Sequence, residues 1–208
     1  MEHRMPRHLE RFGIDAILIT EPGVTGDHLM TSLAATVGVI EATAGACSLL
    51  LRFADWGTAR AAVPALTATP ISHGASPPPQ ARIVQIPTTY DGIDLDDVAE
   101  SCGLDPQQVI DRHSSAIYVV SFCGFAPGFA YLSGLPESLA VPRLSTPRPR
   151  VPAGSVAIGG TWCGIYPRAT PGGWRILGRT EVAVFDPHRE PIALLEPGMR
   201  VQFTRVDL

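Results

Sequence analysis

The sequence contains no lysine: all sixteen of its basic residues are arginine. That absence excludes a phosphate-binding P-loop, which needs a lysine after its glycines, and it excludes a lysine Schiff base or lysine general base. Cysteine is sparse and dispersed. Cys47, Cys102, Cys123 and Cys163 form no CxxC pair, so neither a thiolate zinc site nor a disulfide framework is expected. Reduced, mostly buried thiols are predicted, with Cys123 and Cys163 as small core residues. The histidines, His3, His8, His28, His73, His113 and His188, show no HExxH or HxH spacing, and no bound metal is expected. There is no GxSxG, and separations such as His113 to Cys123 give no dyad without a fold, so no catalytic residue is assigned. His113 reads as a helix-end histidine making a structural hydrogen bond. No apolar run reaches the ~18 residues of a membrane span, and the charged start MEHRMPRHLERFG lacks the apolar stretch of a signal peptide. A cytoplasmic location and no membrane partner are expected.

Acids are missing from one long segment. Between Ser138 and Thr180 there is no Asp or Glu, while Arg143, Arg148, Arg150, Arg168, Arg175 and Arg179 all fall inside, giving +6 within a chain of net charge −4. A planar guanidinium fork suits bidentate contact with carboxylate or phosphate, so the segment reads as a binding site for a small anion. The competing reading is that individual arginines pair with acids from elsewhere in the fold. Nucleic acid is a poor candidate, because the overall charge is negative, aromatics are 7% of the chain and no nucleic-acid motif is present.

What is present fits a soluble globular protein of one large or two small domains, at 45% apolar and 17% charged residues. DAILIT (residues 15–20) reads as a strand, followed by a helix from Thr25 to about Ala35. Strands follow at VGVIEATA (37–44) and CSLLLRF (47–53), and Asp55 caps a second helix. This order suggests a small α+β domain over residues 1–80. Residues 68–79 are rich in Pro, Ser and Gly, as a linker should be. A second domain, 81–208, opens with the strand ARIVQIPTTY and a helix from Asp94 to Cys102. Asp105-Pro106 with Gln108 predicts the start of another helix. SAIYVVSF is a strand, and beyond Gly124 the short pieces VAIGG, GIYP, WRILGRT, VAVFDP, IALL and MRVQFTRV argue for a closed or sandwiched β domain. Pro197-Gly198 signals a type II turn between two strands. TPRPRVPAGS is expected to be extended and polyproline-like, a backbone that needs no ladder partner. In YPRATPGGW, Gly172 and Gly173 are expected to take positive φ in a tight turn and to offer backbone N–H groups to a ligand. The uncharged stretch FCGFAPGFAYLSGL (122–135) reads as a shaped apolar loop: Pro127 and Gly128 fix its turn, and some of Phe125, Phe129 and Tyr131 anchor it inward while others face a cleft or a partner.

GFAPGFAYLSGL, TPRPRVPAGSVAIGG, GIYPRATPGGWRILGRT and FDPHREPIALLEPGMRVQF, in this order and spacing, resemble the family that groups the 5-oxoprolinase B subunit, the kinase inhibitor KipI and the so-called allophanate hydrolase subunit 1. The likeness extends back through YDGIDLDDVAESCGLDPQQVIDRHSSAIYVVSF, and it departs where Tyr90-Asp91-Gly92 stands in place of the usual YGG. The resemblance implies a ferredoxin-like N-terminal domain followed by a cyclophilin-like, mainly-β barrel. It also implies work with a homologous C subunit and with an A subunit in the ATP-dependent hydrolysis of 5-oxo-L-proline to L-glutamate. ATP would be used by the complex, with no biotin or metal attached to this chain. Two other activities stay open within the family: a KipI-like inhibitor that docks on a histidine kinase, and the carboxyltransferase part of a biotin-dependent urea or amide carboxylase. Taken with the acid-free segment, the resemblance makes Arg148, Arg150 and Arg179 candidates for binding anionic groups, Gly172 and Gly173 for backbone donors, and Tyr166 for orienting a substrate.

Overall fold

The computed structural model describes residues 7–71 and 83–206, so residues 72–79 of the stretch expected as a linker lie outside the described residues. The chain divides into two compact units, Met1–Pro78 and Pro79–Leu208.

The first unit runs β1 (His8–Phe12), β2 (Ala16–Thr20), α1 (Gly26–Leu33), β3 (Glu41–Ala44), β4 (Ser48–Arg52) and α2 (Trp56–Ala68). Its four strands form one antiparallel sheet in the order β1-β2-β4-β3. Alternation sends Ile17 and Ile19 of β2 and Leu49 and Leu51 of β4 into a core shared with Leu29 and Leu33 of α1 and Ala59, Ala62 and Leu66 of α2. Asp55 caps α2 as expected, accepting from the Thr58 N–H at 2.8 Å. Thr25 precedes α1 without a side-chain cap bond, and its hydroxyl lies 3.0 Å from His28 Nδ1. β1 is one strand more than the residue pattern predicts. HLERF is mostly exposed, and its pairing with β2 along an edge is what makes it a strand. The run 37–44 gives a strand only from Glu41.

The second unit begins with β5 (Ile83–Thr88), α3 (Leu95–Cys102) and α4 (Pro106–Ser115). Gly103, in the left-handed region at φ 65°, ends α3. A reciprocal capping box opens α4: Gln108 N–H donates to Asp105 Oδ1 at 2.8 Å, and Asp105 N–H donates to Gln108 Oε1 at 3.1 Å. β6 (Tyr118–Cys123) and β7 (Ala130–Ser133) follow, then a single 3-10 turn (Glu137–Leu139). The remaining strands are β8 (Arg148–Val151), β9 (Ser155–Gly159), β10 (Trp162–Ile165), β11 (Thr170–Gly172), β12 (Arg175–Arg179) and β13 (Arg200–Arg205).

Seven strands form a sheet in the order β12-β9-β10-β7-β6-β13-β5, antiparallel except for the parallel β13–β5 pair. The two edge strands, β12 and β5, are drawn together at their ends. Thr89 and Arg179 exchange backbone hydrogen bonds at 2.9 and 2.8 Å, and Gly92 and Asp94 donate to Leu177 and Ile176 at 3.1 Å each. The sheet is therefore a nearly closed barrel, which removes most of the exposed strand edge. Inside it, Ile86, Tyr118, Val120, Leu132, Val156, Ile158, Leu177 and Phe203 pack with Val98 and Val109 from the helices.

Several expectations are corrected. TPRPRVPAGS does find a ladder partner, because β8 pairs antiparallel with β11. Neither Gly172 nor Gly173 has positive φ; Gly172 belongs to β11. VAVFDP and IALL form a loop joined by one Phe185–Ala193 bridge, where Pro187 and Pro191 lack N–H donors and Asp186 turns the chain by accepting from His188 N–H at 2.9 Å. Cys123 is exposed rather than a core residue, as is Cys47, whereas Cys163 is buried. The type II turn is present, with Gly198 at φ 86° and Met199 N–H donating to Glu196 O at 3.1 Å.

Candidate functional site

The sheet of the second unit is covered on its outer face as well. β9 is buried along its whole length, because Val156 and Ile158 point into the barrel while Ala157 points outward. Ala157 lies opposite Ile176 of β12, and together with Val151, Phe129, Tyr166 and Trp174 they form a second, smaller apolar cluster under the β8–β11 pair. Space for the rings is made by glycine. A Cβ on Gly159 would stand 2.8 Å from the Trp174 ring, and one on Gly164 would stand 3.0 Å from Phe129 and 3.1 Å from Trp174.

Seven of the chain's fourteen aromatic residues meet on this face. Tyr131 stacks on Phe122 at 4.3 Å and meets Trp162 and Trp174 edge to face, while Phe129 meets Tyr131, Tyr166 and Trp174 at 5.1 to 5.4 Å. The apolar loop after β6 supplies the rim. Ala126 N–H donates to Gly124 O at 2.8 Å across Phe125, whose φ of 68° makes this a γ-turn of the uncommon positive-φ kind. Phe125 is thus held outward, 59% exposed, while Phe129 is buried and Tyr131 half-buried. Pro127 is exposed at the loop tip, and Gly128 lies against the Phe185 ring.

These elements enclose a cleft of about 230 Å³ lined by Phe125, Phe129, Tyr131, Arg143, Pro147, Tyr166, Pro171, Gly172, Gly173 and Trp174. Its walls are aromatic, and its polar groups are two phenols and one guanidinium. Burial raises the pKa of both Tyr131 and Tyr166; the Arg143 charge opposes this at both, and at Tyr166 the Trp174 backbone N–H opposes it more strongly. Both phenols remain protonated donors at neutral pH. Arg143 lies over Trp174, its guanidinium carbon 5.6 Å from the ring centre.

The three arginines proposed from sequence lie instead along a neighbouring cleft of about 340 Å³, at the barrel seam, with Asp91, Gly92, Ile93 and Ser155. Arg148 Nη2 donates to Asp94 Oδ1 at 2.6 Å, and the buried Asp94 also accepts from Ile176 N–H at 2.7 Å. Arg179 pairs with Asp91, and Arg175 lies 3.5 Å from Asp97. Arg150 is exposed on this cleft, without an acid partner among the described residues, and one buried nitrogen of Arg148, Nη1, has no hydrogen-bond partner. The candidates thus separate into two groups: Phe125, Phe129, Tyr131, Tyr166, Gly172 and Gly173 share the aromatic cleft, and Arg148, Arg150 and Arg179 share the seam. Sequence reasoning did not single out Arg143 or Trp174. The acid-free segment contained both, yet nothing local distinguishes Arg143 from the other five arginines.

His113 is buried in the barrel, its Nδ1 2.8 Å from Tyr90 Oη and its Nε2 3.3 Å from Cys163 Sγ. Burial lowers the imidazole pKa to about 3 and pushes the thiol well up, so the pair is neutral imidazole and thiol, sealed from any ligand. This is the structural hydrogen bonding expected of His113. Among the described residues no group of three or more His, Cys, Asp or Glu side chains is gathered to hold a metal, and no helix is long and apolar enough to cross a membrane.

A nearly closed barrel with an aromatic cleft on its outer face defines a domain class, and comparison with known proteins gives the family. Residues 25–195 match the model for "Carboxyltransferase domain, subdomain C and D", and the chain belongs to that family. It is 52% identical over 128 residues to a protein named as the B subunit of 5-oxoprolinase from Escherichia coli O157:H7, a match covering 60% of this chain and 59% of that protein. The protein of the same name from Bacillus subtilis is 48% identical over 128 residues, 60% of this chain and 53% of that one. The matches therefore span less than two thirds of these relatives. Among solved structures, TTHA0988 superposes with a TM-score of 0.75 at 35% identity, covering 94% of this chain and 41% of that one. PH0987 from Pyrococcus horikoshii gives 0.59 at 30% identity, covering 96% and 98%. The Kluyveromyces lactis urea carboxylase shares the fold, at a TM-score of 0.73 and 19% identity over 97% of this chain and 22% of that one.

Proposed function

We propose that this chain is the B subunit of a cytoplasmic, multi-subunit 5-oxoprolinase that hydrolyses 5-oxo-L-proline to L-glutamate with ATP, together with the A and C subunits. The observation that carries the reading is the aromatic cleft in a chain 48 to 52% identical to proteins named as 5-oxoprolinase B subunits. At about 230 Å³ the cleft is smaller than the ~300–1,000 Å³ typical of drug-sized ligand pockets, and it suits a single small ring. Its rings would enclose the methylene edge of a lactam and exclude water, and Tyr131 and Tyr166 would donate to the amide oxygen. ATP would be consumed by the assembled complex. We read the barrel as cyclophilin-like. The first unit we read as ferredoxin-like, with its edge strand supplied by β1 at the N-terminal end of the unit, because the order β1-β2-β4-β3 is antiparallel throughout.

The test is reconstitution. The purified chain is mixed with the A and C subunits, and ATP-dependent glutamate release from 5-oxoproline is measured with each component omitted in turn. Release only from the complete mixture is expected; a complete mixture that releases none overturns the reading. The family description and the fold shared with urea carboxylase favour one second reading, an amide carboxyltransferase component. Consumption of carboxybiotin by the same mixture, without glutamate release, would select it.

A further inference from the structure

We infer that Arg143 is the specificity-determining anchor of the aromatic cleft and that it selects small cyclic amides bearing one carboxylate. The inference rests on the 5-oxoprolinase reading and names the residue that recognises the acid group of its substrate. Of all the residues lining the cleft, Arg143 alone carries a formal charge, and among the described residues no carboxylate pairs with it. The other guanidiniums near this face are disposed differently. Arg148, Arg175 and Arg179 are matched to Asp94, Asp97 and Asp91, and Arg150 opens onto the seam.

The backbone on both sides of Arg143 is pinned. Val141 O accepts from Gly160 N–H at 2.7 Å, and Leu144 N–H donates to Gly173 O at 2.7 Å, so the residue is held between the β9–β10 turn and the cleft wall. The guanidinium carbon lies over Trp174, 5.6 Å from the ring centre, and no acid pairs with its N–H groups among the described residues, which suits bidentate capture of a carboxylate. A ligand with its acid group on Arg143 places its ring against Phe129 and Trp174, with the phenols of Tyr131 and Tyr166 on the remaining polar side. A neutral amide such as urea offers the arginine a carbonyl oxygen but no negative charge, and so forgoes the charge-assisted pair. Arg143 is thus the element that separates a lactam acid from a plain amide.

The experiment titrates the full chain and its Arg143→Gln and Arg143→Lys variants with three probes, followed by ligand-observed NMR: 5-oxo-L-proline, 2-pyrrolidinone (the same lactam without the acid) and cyclopentanecarboxylate (a ring acid without the lactam). The wild-type chain is expected to favour 5-oxoproline over 2-pyrrolidinone by about ten- to a hundredfold, the worth of one charge-assisted hydrogen-bonding pair. Arg143→Gln should abolish that preference, bringing 5-oxoproline down to the level of 2-pyrrolidinone in the same variant, and Arg143→Lys should restore part of it. Arg143 is exposed, so both variants should fold. Undiminished 5-oxoproline binding by Arg143→Gln overturns the inference and leaves the 5-oxoprolinase reading standing. Cyclopentanecarboxylate binding as tightly as 5-oxoproline, and lost in Arg143→Gln, keeps the anchor and overturns that reading. Silence from all three probes overturns the inference, and the 5-oxoprolinase reading then stands or falls on the reconstitution.

Discussion

Gly172 of β11 lies directly against the hydroxyl end of Tyr166, so closely that a Cβ at position 172 would also stand 3.0 Å from two carbons of the ring. The glycine offers its ligand-facing space to a phenol rather than a positive-φ turn. Because Tyr166 is buried against Phe129 and cannot swing aside, Gly172→Ala should cost about 1–3 kcal/mol and distort the cleft. Urea unfolding measures the first effect and 5-oxoproline titration the second. An alanine variant with unchanged stability and binding would show that Tyr166 has room to move.

At the barrel seam the glycines face backbone instead. A Cβ on Gly92 would collide with Ile176, Leu177 and Gly178, and one on Gly178 would collide with Thr89 and Tyr90, where backbone has little freedom to retreat. Gly92→Ala and Gly178→Ala should therefore each destabilise the protein by about 2 kcal/mol or more and speed amide exchange at Thr89 and Arg179, the pair that closes the sheet. Retained protection at both amides would contradict this.

Two Arg–Asp pairs along the same seam should differ in worth, because burial decides what an ion pair contributes. Asp94 has a side chain only 3% exposed and serves both Arg148 and the Ile176 N–H, whereas the Arg179 and Asp91 side chains are 48% and 32% exposed. Asp94→Ala should cost about 3 kcal/mol, since it strands a partly buried guanidinium and a backbone donor. Asp91→Ala should cost less than about 1 kcal/mol. Denaturant midpoints of the two variants check the contrast, and equal losses would refute it.

His113 sets a pH dependence whose sign follows from its environment. Buried beside Tyr90, Tyr118, Cys163 and Phe203, it binds a proton in the folded state only near pH 3, whereas in the unfolded chain it does so near its ordinary 6.5. Between those values the unfolded state holds the extra proton, so stability falls as pH falls, by about 1.4 kcal/mol per unit at most. Surface carboxylates contribute equally to a variant and cancel in the difference. Unfolding free energies of wild type and His113→Phe, measured from pH 7 to pH 4, should converge as pH drops; parallel curves would show that His113 titrates normally.

Local features were readable in the chain because their chemistry is completed within a few residues. Asp105, Pro106 and Gln108 announce a helix start whose hydrogen bonds close within one turn, and Pro197-Gly198 specify their own turn. The fates of the arginines were not readable. Arg148 finds Asp94 at a separation of 54 residues and Arg179 finds Asp91 at 88, so acids absent from the segment are returned to it by the closure of the sheet. The opposite error arose at VAVFDP and IALL, where residues with strand propensity have no ladder beyond a single bridge, because pairing depends on a neighbour and not on propensity.

The chemistry available to this protein was determined by its sequence alone: an all-arginine cation set that excludes lysine chemistry, a long segment without acids, and an uncharged aromatic loop bounded by proline and glycine. Which arginines stay unpaired among the described residues, and which ring faces the cleft, was decided only by tertiary structure. Strand register sets the two faces of β9 and gathers the outer aromatic cluster, a property of paired strands that no single strand carries, while the turn at Phe125 and the backbone bonds flanking Arg143 turn Phe125 outward and bring Arg143 over Trp174.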